Sequence, residues 1–233
     1  MRFEGEVAVV TGASRGIGRA TAARLAAEGA TVVAAARNGE RLDGLAAEAG
    51  GAITPVACDV AIPPDVDRLF GVAGDVGGCS ILVAAAGVLF KGLIDETTDE
   101  GWNRTIAVNL TGSFLCSRAA FGQMRGRGRG RIVLLSSLSG VYATEKFPGL
   151  LAYNASKHGV VGLMEGLAVE GRERGISAIS LSPGAVDTEM LREANPDLRA
   201  GLTPADVAGL IADLLDGPIE AMSGANVPLF SNR

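Results

Sequence analysis

Tyr153 and Lys157 stand four residues apart in Tyr153-Asn154-Ala155-Ser156-Lys157, at the opening of an extended helical pattern. At that spacing the two side chains share one helix face, a turn apart. A free phenol has a pKa near 10, too high for efficient proton exchange at neutral pH. A close ammonium favours the phenolate and lowers that value by ~1–3 units. The pair is therefore expected to act as a tuned general acid or base toward a substrate oxygen. Upstream, Ser136-Ser137 ends an apolar run, Ile132–Leu135. Active sites of parallel sheets lie at such strand ends, so a serine hydroxyl there can hydrogen-bond a substrate carbonyl. Asn109 interrupts the helical run Trp102–Arg125. A buried amide at that point needs partners and can hold a water in a proton path.

These residues need elements to position them, and the first is near the amino terminus. The apolar run Val7–Val10 gives way to Thr11-Gly12-Ala13-Ser14-Arg15-Gly16-Ile17-Gly18, followed at once by an amphipathic stretch. A strand, a glycine turn and a helix together make the geometry that holds a dinucleotide pyrophosphate on a helix N-terminus. Gly12, Gly16 and Gly18 suit the tight turn, the close phosphate approach and the helix–strand contact, respectively. In dinucleotide folds a carboxylate past the glycines accepts from the adenosine ribose. Here the second strand ends in Ala36-Arg37, without one. Arg37 and Arg15 offer two guanidiniums suited to a 2′-phosphate. The preferred cofactor is therefore expected to be NADP(H) rather than NAD(H).

Strand and helix patterns alternate along the chain, which predicts an α/β Rossmann-type fold: a doubly wound parallel sheet with helices on both faces. The seven expected strands are Val7–Thr11, Thr31–Ala36, Ile53–Cys58, Ser80–Ala84, Arg131–Ser136, Ile176–Ser182 and Asn226–Leu229. The expected helices are Gly16–Glu28, Glu40–Ala49, Pro64–Ala73, Thr98–Arg125, Ala152–Arg174 and Pro204–Leu215. No repeat or linker divides residues 1–233, so one domain is expected. With 48 % hydrophobic residues the chain can build a sizeable core, and its net charge of −5 disfavours general nucleic-acid binding. The three cysteines, Cys58, Cys79 and Cys116, lack metal or disulfide spacing, and His158 is the only histidine, so no metal site is expected. Neither a signal peptide nor a membrane span is visible, and the expected address is the cytoplasm.

The ordered set of motifs resembles the short-chain dehydrogenase/reductase family over essentially the whole length. It comprises Gly12, Gly16 and Gly18, then Asp59-Val60, Asn109, Ser137, Tyr153 and Lys157, then Ser182-Pro183-Gly184-Ala185-Val186-Asp187-Thr188. The opening third is most similar to 3-oxoacyl-acyl-carrier-protein reductases. The resemblance implies that Tyr153 transfers the proton, Ser137 orients the carbonyl or alcohol, Lys157 also binds the nicotinamide ribose, and Asn109 keeps a water-linked relay. It implies cofactor contacts from Ser14, Ile17, Pro183 and Gly184, adenine contacts from Asp59 and Val60, and carboxamide contacts from Val186 and Thr188. Dimers or tetramers through the two long helices are also implied.

The chain departs from the family pattern in three places. Ala84-Ala85-Ala86-Gly87 stands where the family usually has Asn-Asn-Ala-Gly, leaving only backbone contacts from Ala85, Ala86 and Gly87. The Ser137–Tyr153 loop is longer than usual and carries Tyr142, Phe147, Leu150 and Leu151, candidates for an apolar substrate wall. The stretch from Thr188 to Thr203 is short, so a small lid is expected. His158 is expected to serve packing or an interface, and Cys58 and Cys116 to be inert core residues. Two other functions are compatible with parts of the sequence: a non-catalytic NADP(H) sensor, and RNA contact through Arg125–Arg131. A seven-residue basic tract without aromatics makes few phosphate contacts, which favours a solvated connection instead.

Overall fold

The computed structural model describes residues 1–217 and 219–231. Its seven strands are β1 (Val7–Thr11), β2 (Thr31–Ala36), β3 (Ile53–Ala57), β4 (Ile81–Ala84), β5 (Gly130–Leu135), β6 (Ile176–Pro183) and β7 (Asn226–Leu229). All pair in parallel, in the order β3-β2-β1-β4-β5-β6-β7. Val7–Val10 of β1 and all of β4 are apolar because helices cover both faces. Val7 and Val9 of β1 face one core cluster, while Ala8 and Val10 face the other.

Helices α1 (Gly16–Ala27), α2 (Gly39–Glu48) and α8 (Pro204–Asp216) pack on one face through Leu25, Leu45 and Ile211. On the other face lie α3 (Pro63–Asp75), α4 (Asp99–Ile106), α5 (Gly112–Arg127) and α6 (Leu151–Gly171), burying Leu69, Leu115, Met124 and Met164. A further short helix, α7 (Glu189–Ala194), was not expected from the sequence. Its six residues are too few to show a periodic apolar stripe. Strand order reverses between β1 and β4, and the carboxyl ends of these strands frame a crevice at that switch point.

The helix expected over Thr98–Arg125 is instead α4 and α5 joined by a five-residue π turn, Ala107–Thr111. The turn places Asn109 fully inside the protein, where its amide finds partners away from its own helix. The Ser113 hydroxyl donates to the Asn109 carbonyl at 2.7 Å, compensating the disturbed ladder.

The arginine–glycine tract is tied into the protein. Arg127 donates to the carbonyls of Gly77 and Gly78, and Arg129 and Arg131 both pair with Glu6. Arg131 also reaches the Leu215 carbonyl at 2.7 Å. These bonds give the tract a structural role under the sheet, in place of a free basic loop.

Candidate active site

A cleft of about 480 Å³ runs along the carboxyl ends of the strands. Gly12, Ser14, Arg15, Gly16, Ile17 and Gly18 form one wall, and Ala85, Ala86 and Gly87 form the floor. Two glycine positions explain why this wall can exist. Gly12 has φ +68°, and a Cβ there would lie 2.7 Å from the Ala85 carbonyl oxygen. A Cβ on Gly18 would collide with the Gly12 carbonyl, so α1 approaches the turn only because that position is bare. The N-cap of α1 is Arg15, whose side chain makes no cap hydrogen bond. The first backbone N–H groups of the helix are thus left for an anion.

The floor lacks the asparagine side chains of the family pattern, and Thr11 replaces part of their work. Its hydroxyl oxygen accepts from the N–H groups of Ala85 and Ala86, each at 3.2 Å. Thr11 was not singled out in the sequence. A threonine closing an apolar strand has no local signature of reaching across to a neighbouring strand.

At the inner end the floor meets Ser136, Tyr153 and Lys157, with Ser137 beside the Tyr153 hydroxyl. The pairing of Tyr153 with Lys157 follows the helical geometry, with Nζ 5.5 Å from the ring centroid. The ammonium, however, donates at 2.7 Å to the Leu135 carbonyl, at the end of β5. Burial lowers the Lys157 pKa to about 8. Burial also raises the Tyr153 phenol above its ordinary value, and the hydrogen bond with Ser137 only partly opposes this. The phenol is thus raised rather than lowered here, because desolvation is the largest influence on it. Ser136 pins the helix from below, its hydroxyl donating to the Lys157 carbonyl at 2.9 Å.

Asn109 supports this end from behind the cleft surface. Its Oδ1 accepts from Val88 N–H at 2.8 Å, and its Nδ2 donates to the Val88 carbonyl and to Ser156 Oγ at 2.9 and 3.0 Å. The side-chain amide is thus engaged by protein partners. Ser156, inside the Tyr–Lys motif, is the residue that links Asn109 to α6.

The outer end is ionic. Arg15 Nη1 lies 3.1 Å from both Glu189 and Glu193 of α7, and Arg41 Nη1 lies 3.0 Å from Glu189. Arg37 is exposed and forms no ion pair with a described residue. Asp59 accepts from Arg104 at 2.8 Å and from Ala61 N–H at 3.0 Å. Burial works to raise its carboxyl, but the Arg104 bond and the Ala61 N–H hold it below the ordinary value. Arg41, Glu189, Glu193 and Arg104 were missed in the sequence. They meet only because the fold joins segments up to 178 residues apart.

Other expected residues sit around this frame. Thr188 lines the cleft, packs over Gly16 and caps α7 by accepting from Leu191 N–H. Val60 lines it too, although its side chain also wedges against Gly112. Pro183, Gly184 and Val186 do not line it: Pro183 and Val186 are buried, and Gly184 N–H donates to the Leu229 carbonyl. Tyr142, 91 % exposed, forms no wall of the cleft, and Phe147, Leu150 and Leu151 also stand outside its lining. His158 is exposed on α6, with Nδ1 against the Asn154 carbonyl. Burial pushes the Cys58 and Cys79 thiols up to about 11 and about 12, and Cys116 also upward, as suits unreactive core residues.

Comparison with known proteins gives one family. A family model described as short chain dehydrogenase matches residues 6–199. The 3-oxoacyl-acyl-carrier-protein reductase FabG of Escherichia coli is 37 % identical over 213 residues, covering 90 % of this chain and 85 % of that protein. A 3beta-hydroxysteroid dehydrogenase of Mediterraneibacter gnavus is 35 % identical, covering 97 % and 84 %. A D-threitol dehydrogenase of Mycolicibacterium smegmatis is 39 % identical, covering 83 % and 75 %. A crystal structure of a short-chain type dehydrogenase/reductase from Mycobacterium marinum superposes with a TM-score of 0.90 at 31 % identity, covering 97 % of this chain and 94 % of that one.

Proposed function

This chain belongs to the short-chain dehydrogenase/reductase family, and from that premise we propose that it is an NADP(H)-dependent oxidoreductase acting on a carbonyl or secondary alcohol of a small molecule. One observation carries the proposal. Tyr153 and Lys157 line one end of a cleft, with Ser137 hydrogen-bonded to Tyr153, and the other end carries Arg15, Arg37 and Arg41.

The residues present fit a dinucleotide. The bare Gly12–Gly18 contact and the uncapped start of α1 form a cradle that a Cβ would fill. The glycine wall would hold the pyrophosphate, Arg37 and Arg15 the 2′-phosphate, and Lys157 the nicotinamide ribose. When bound, the cofactor supplies or accepts the hydride. Ser137 orients the substrate oxygen by hydrogen bonding. Tyr153 holds the proton that an alkoxide needs in the reductive direction. Lys157, at about 8, carries charge at neutral pH close to the phenol. Asn109 and Ser156 act as positioning residues that keep the Tyr153–Lys157 turn against the floor.

The substrate is set by the wall around Val88 and Met190, and the differing chemistry in the relatives' names leaves acyl-carrier-protein thioesters as one candidate class. A panel of ketones, ketoesters and diketones, run with NADPH and NADH, tests the proposal. Turnover with NADPH preferred is expected. Equal or better use of NADH removes the cofactor assignment, and tight NADPH binding without turnover on any carbonyl favours a sensor. We also propose assembly through α4, α5 and α6, where Trp102, Phe114, Leu151 and Val169 are exposed. A monomer in sedimentation at micromolar concentration overturns this. We also propose a cytoplasmic address; no helix among the described residues is long and apolar enough to cross a membrane.

A further inference from the structure

One carboxylate joins α7 to two walls of the outer cleft. Glu189 Oε2 lies 3.1 Å from Arg15 Nη1 and 3.0 Å from Arg41 Nη1, and Glu189 Oε1 lies 3.2 Å from the same Arg41 nitrogen. Glu193 adds an oxygen 3.1 Å from Arg15 Nη1. Arg15, Arg37, Arg41 and Glu189 all line the one cleft. Two guanidiniums converging on a carboxylate have the donor arrangement that recognises a phosphate monoester. The monoester brings a second charge and a third oxygen, so it uses those donors more fully than a carboxylate does. The resident pairs are also inexpensive to open. The Arg15, Arg41 and Glu189 side chains are 38, 47 and 42 % exposed, and ion pairs that wet contribute little.

We propose that Arg41 is a third guanidinium of the 2′-phosphate subsite and that Glu189 is its resident stand-in. The Glu189 carboxylate occupies Arg15 and Arg41 until a 2′-phosphate replaces it. Glu189 thereby sets how strongly the protein separates phosphorylated from unphosphorylated adenosine ribose. This rests on the NADP(H) reading and adds to it a residue that weakens the preference Arg15 and Arg37 create. Sequence spacing gives no hint of it, since Arg41 and Glu189 are 148 residues apart.

The test uses two nucleotides that lack nicotinamide, adenosine 2′,5′-bisphosphate and adenosine 5′-diphosphate, titrated calorimetrically into the intact protein at fixed ionic strength. Glu189→Gln is expected to tighten the bisphosphate by about threefold to tenfold and to leave the 5′-diphosphate within about twofold. Arg41→Gln is expected to weaken the bisphosphate by about tenfold, again sparing the 5′-diphosphate. Both residues are at the surface, and unchanged melting temperatures verify that the variants fold. If Glu189→Gln weakens both nucleotides equally, Glu189 only fastens α7 and the inference is overturned. It is overturned equally if neither substitution changes the ratio of the two affinities. A wild-type protein that binds both nucleotides alike removes the NADP(H) reading. In that case the ratio in Glu189→Gln still decides the role of Glu189.

Discussion

At the inner end of the cleft Lys157 is buried and gives its ammonium to the Leu135 carbonyl, whereas at the outer end Arg15 and Arg41 are partly exposed and share a carboxylate. The inner end leaves Lys157 only 4 % exposed, and no ion pair joins the catalytic candidates among the described residues. Its electrostatics are set by desolvation, which lowers Lys157 and raises Tyr153. The outer end is wet, and opposite charges at hydrogen-bond distance set its properties. Charges in the dry region cost more to place and act more strongly there. Charges in the wet region are cheaper and exchangeable. The difference suits a site that must hold a proton in one place and admit a large anion in another.

The largest expected effect breaks the inner end. Tyr153→Phe should lower kcat/KM by about 10²–10⁴-fold with NADPH binding preserved. A near-normal rate at saturating cofactor would eliminate Tyr153 as the proton donor.

Next is the titration of Lys157, whose folded pKa lies below its unfolded one. Between about pH 8 and about 10.5 the unfolded chain binds the proton and the folded protein does not, so stability rises with pH. Relative to Lys157→Met, the wild-type protein should gain up to roughly 3 kcal/mol across that window, with no change below it. Urea unfolding of both proteins from pH 7 to pH 10 checks this. A flat difference means that Lys157 is not desolvated in solution.

At the outer end, Arg37→Ala should raise the KM for NADPH by about tenfold and leave that for NADH within about twofold. Parallel increases for both cofactors would show that Arg37 does not contact the 2′-phosphate.

The smallest effect separates the two ends directly. Raising salt from about 0.05 M to about 0.5 M should weaken NADPH binding several-fold, because screening reaches exposed charges first. The turnover number at saturating cofactor should change by less than about twofold over the same range. If kcat falls with salt as steeply as affinity does, the inner end is not shielded and the contrast fails.

Much of the fold and of the inner end was legible along the chain. Val7–Thr11, Thr31–Ala36 and Asn226–Leu229 have the bounds read from their apolar runs, and the other strands differ by about a residue at either end. The glycine turn and the Tyr–Lys spacing were equally visible, because each is a contiguous segment whose geometry follows from local backbone rules. The π turn at Asn109 was less so. The interruption showed in the sequence, but its form depends on the partners Val88 and Ser156 provide from other elements. Thr11 was hidden for a similar reason, since the Ala85 and Ala86 N–H groups that donate to it lie across the β1–β4 pairing.

By itself, then, the amino-acid order determined the alternation of strands and helices, the glycine cradle and the presence of a phenol one turn from an ammonium. Periods of two and 3.6 residues and the steric freedom of glycine act within a few residues, so they can be read in one dimension. The sign of the phenol's shift, the pairing of Arg15 with the α7 carboxylates and the anchoring of Arg127, Arg129 and Arg131 were decided only in three dimensions. Desolvation depends on everything packed around a group, and ion pairing depends on which distant segments meet. Neither quantity exists until the sheet has brought its strand ends together.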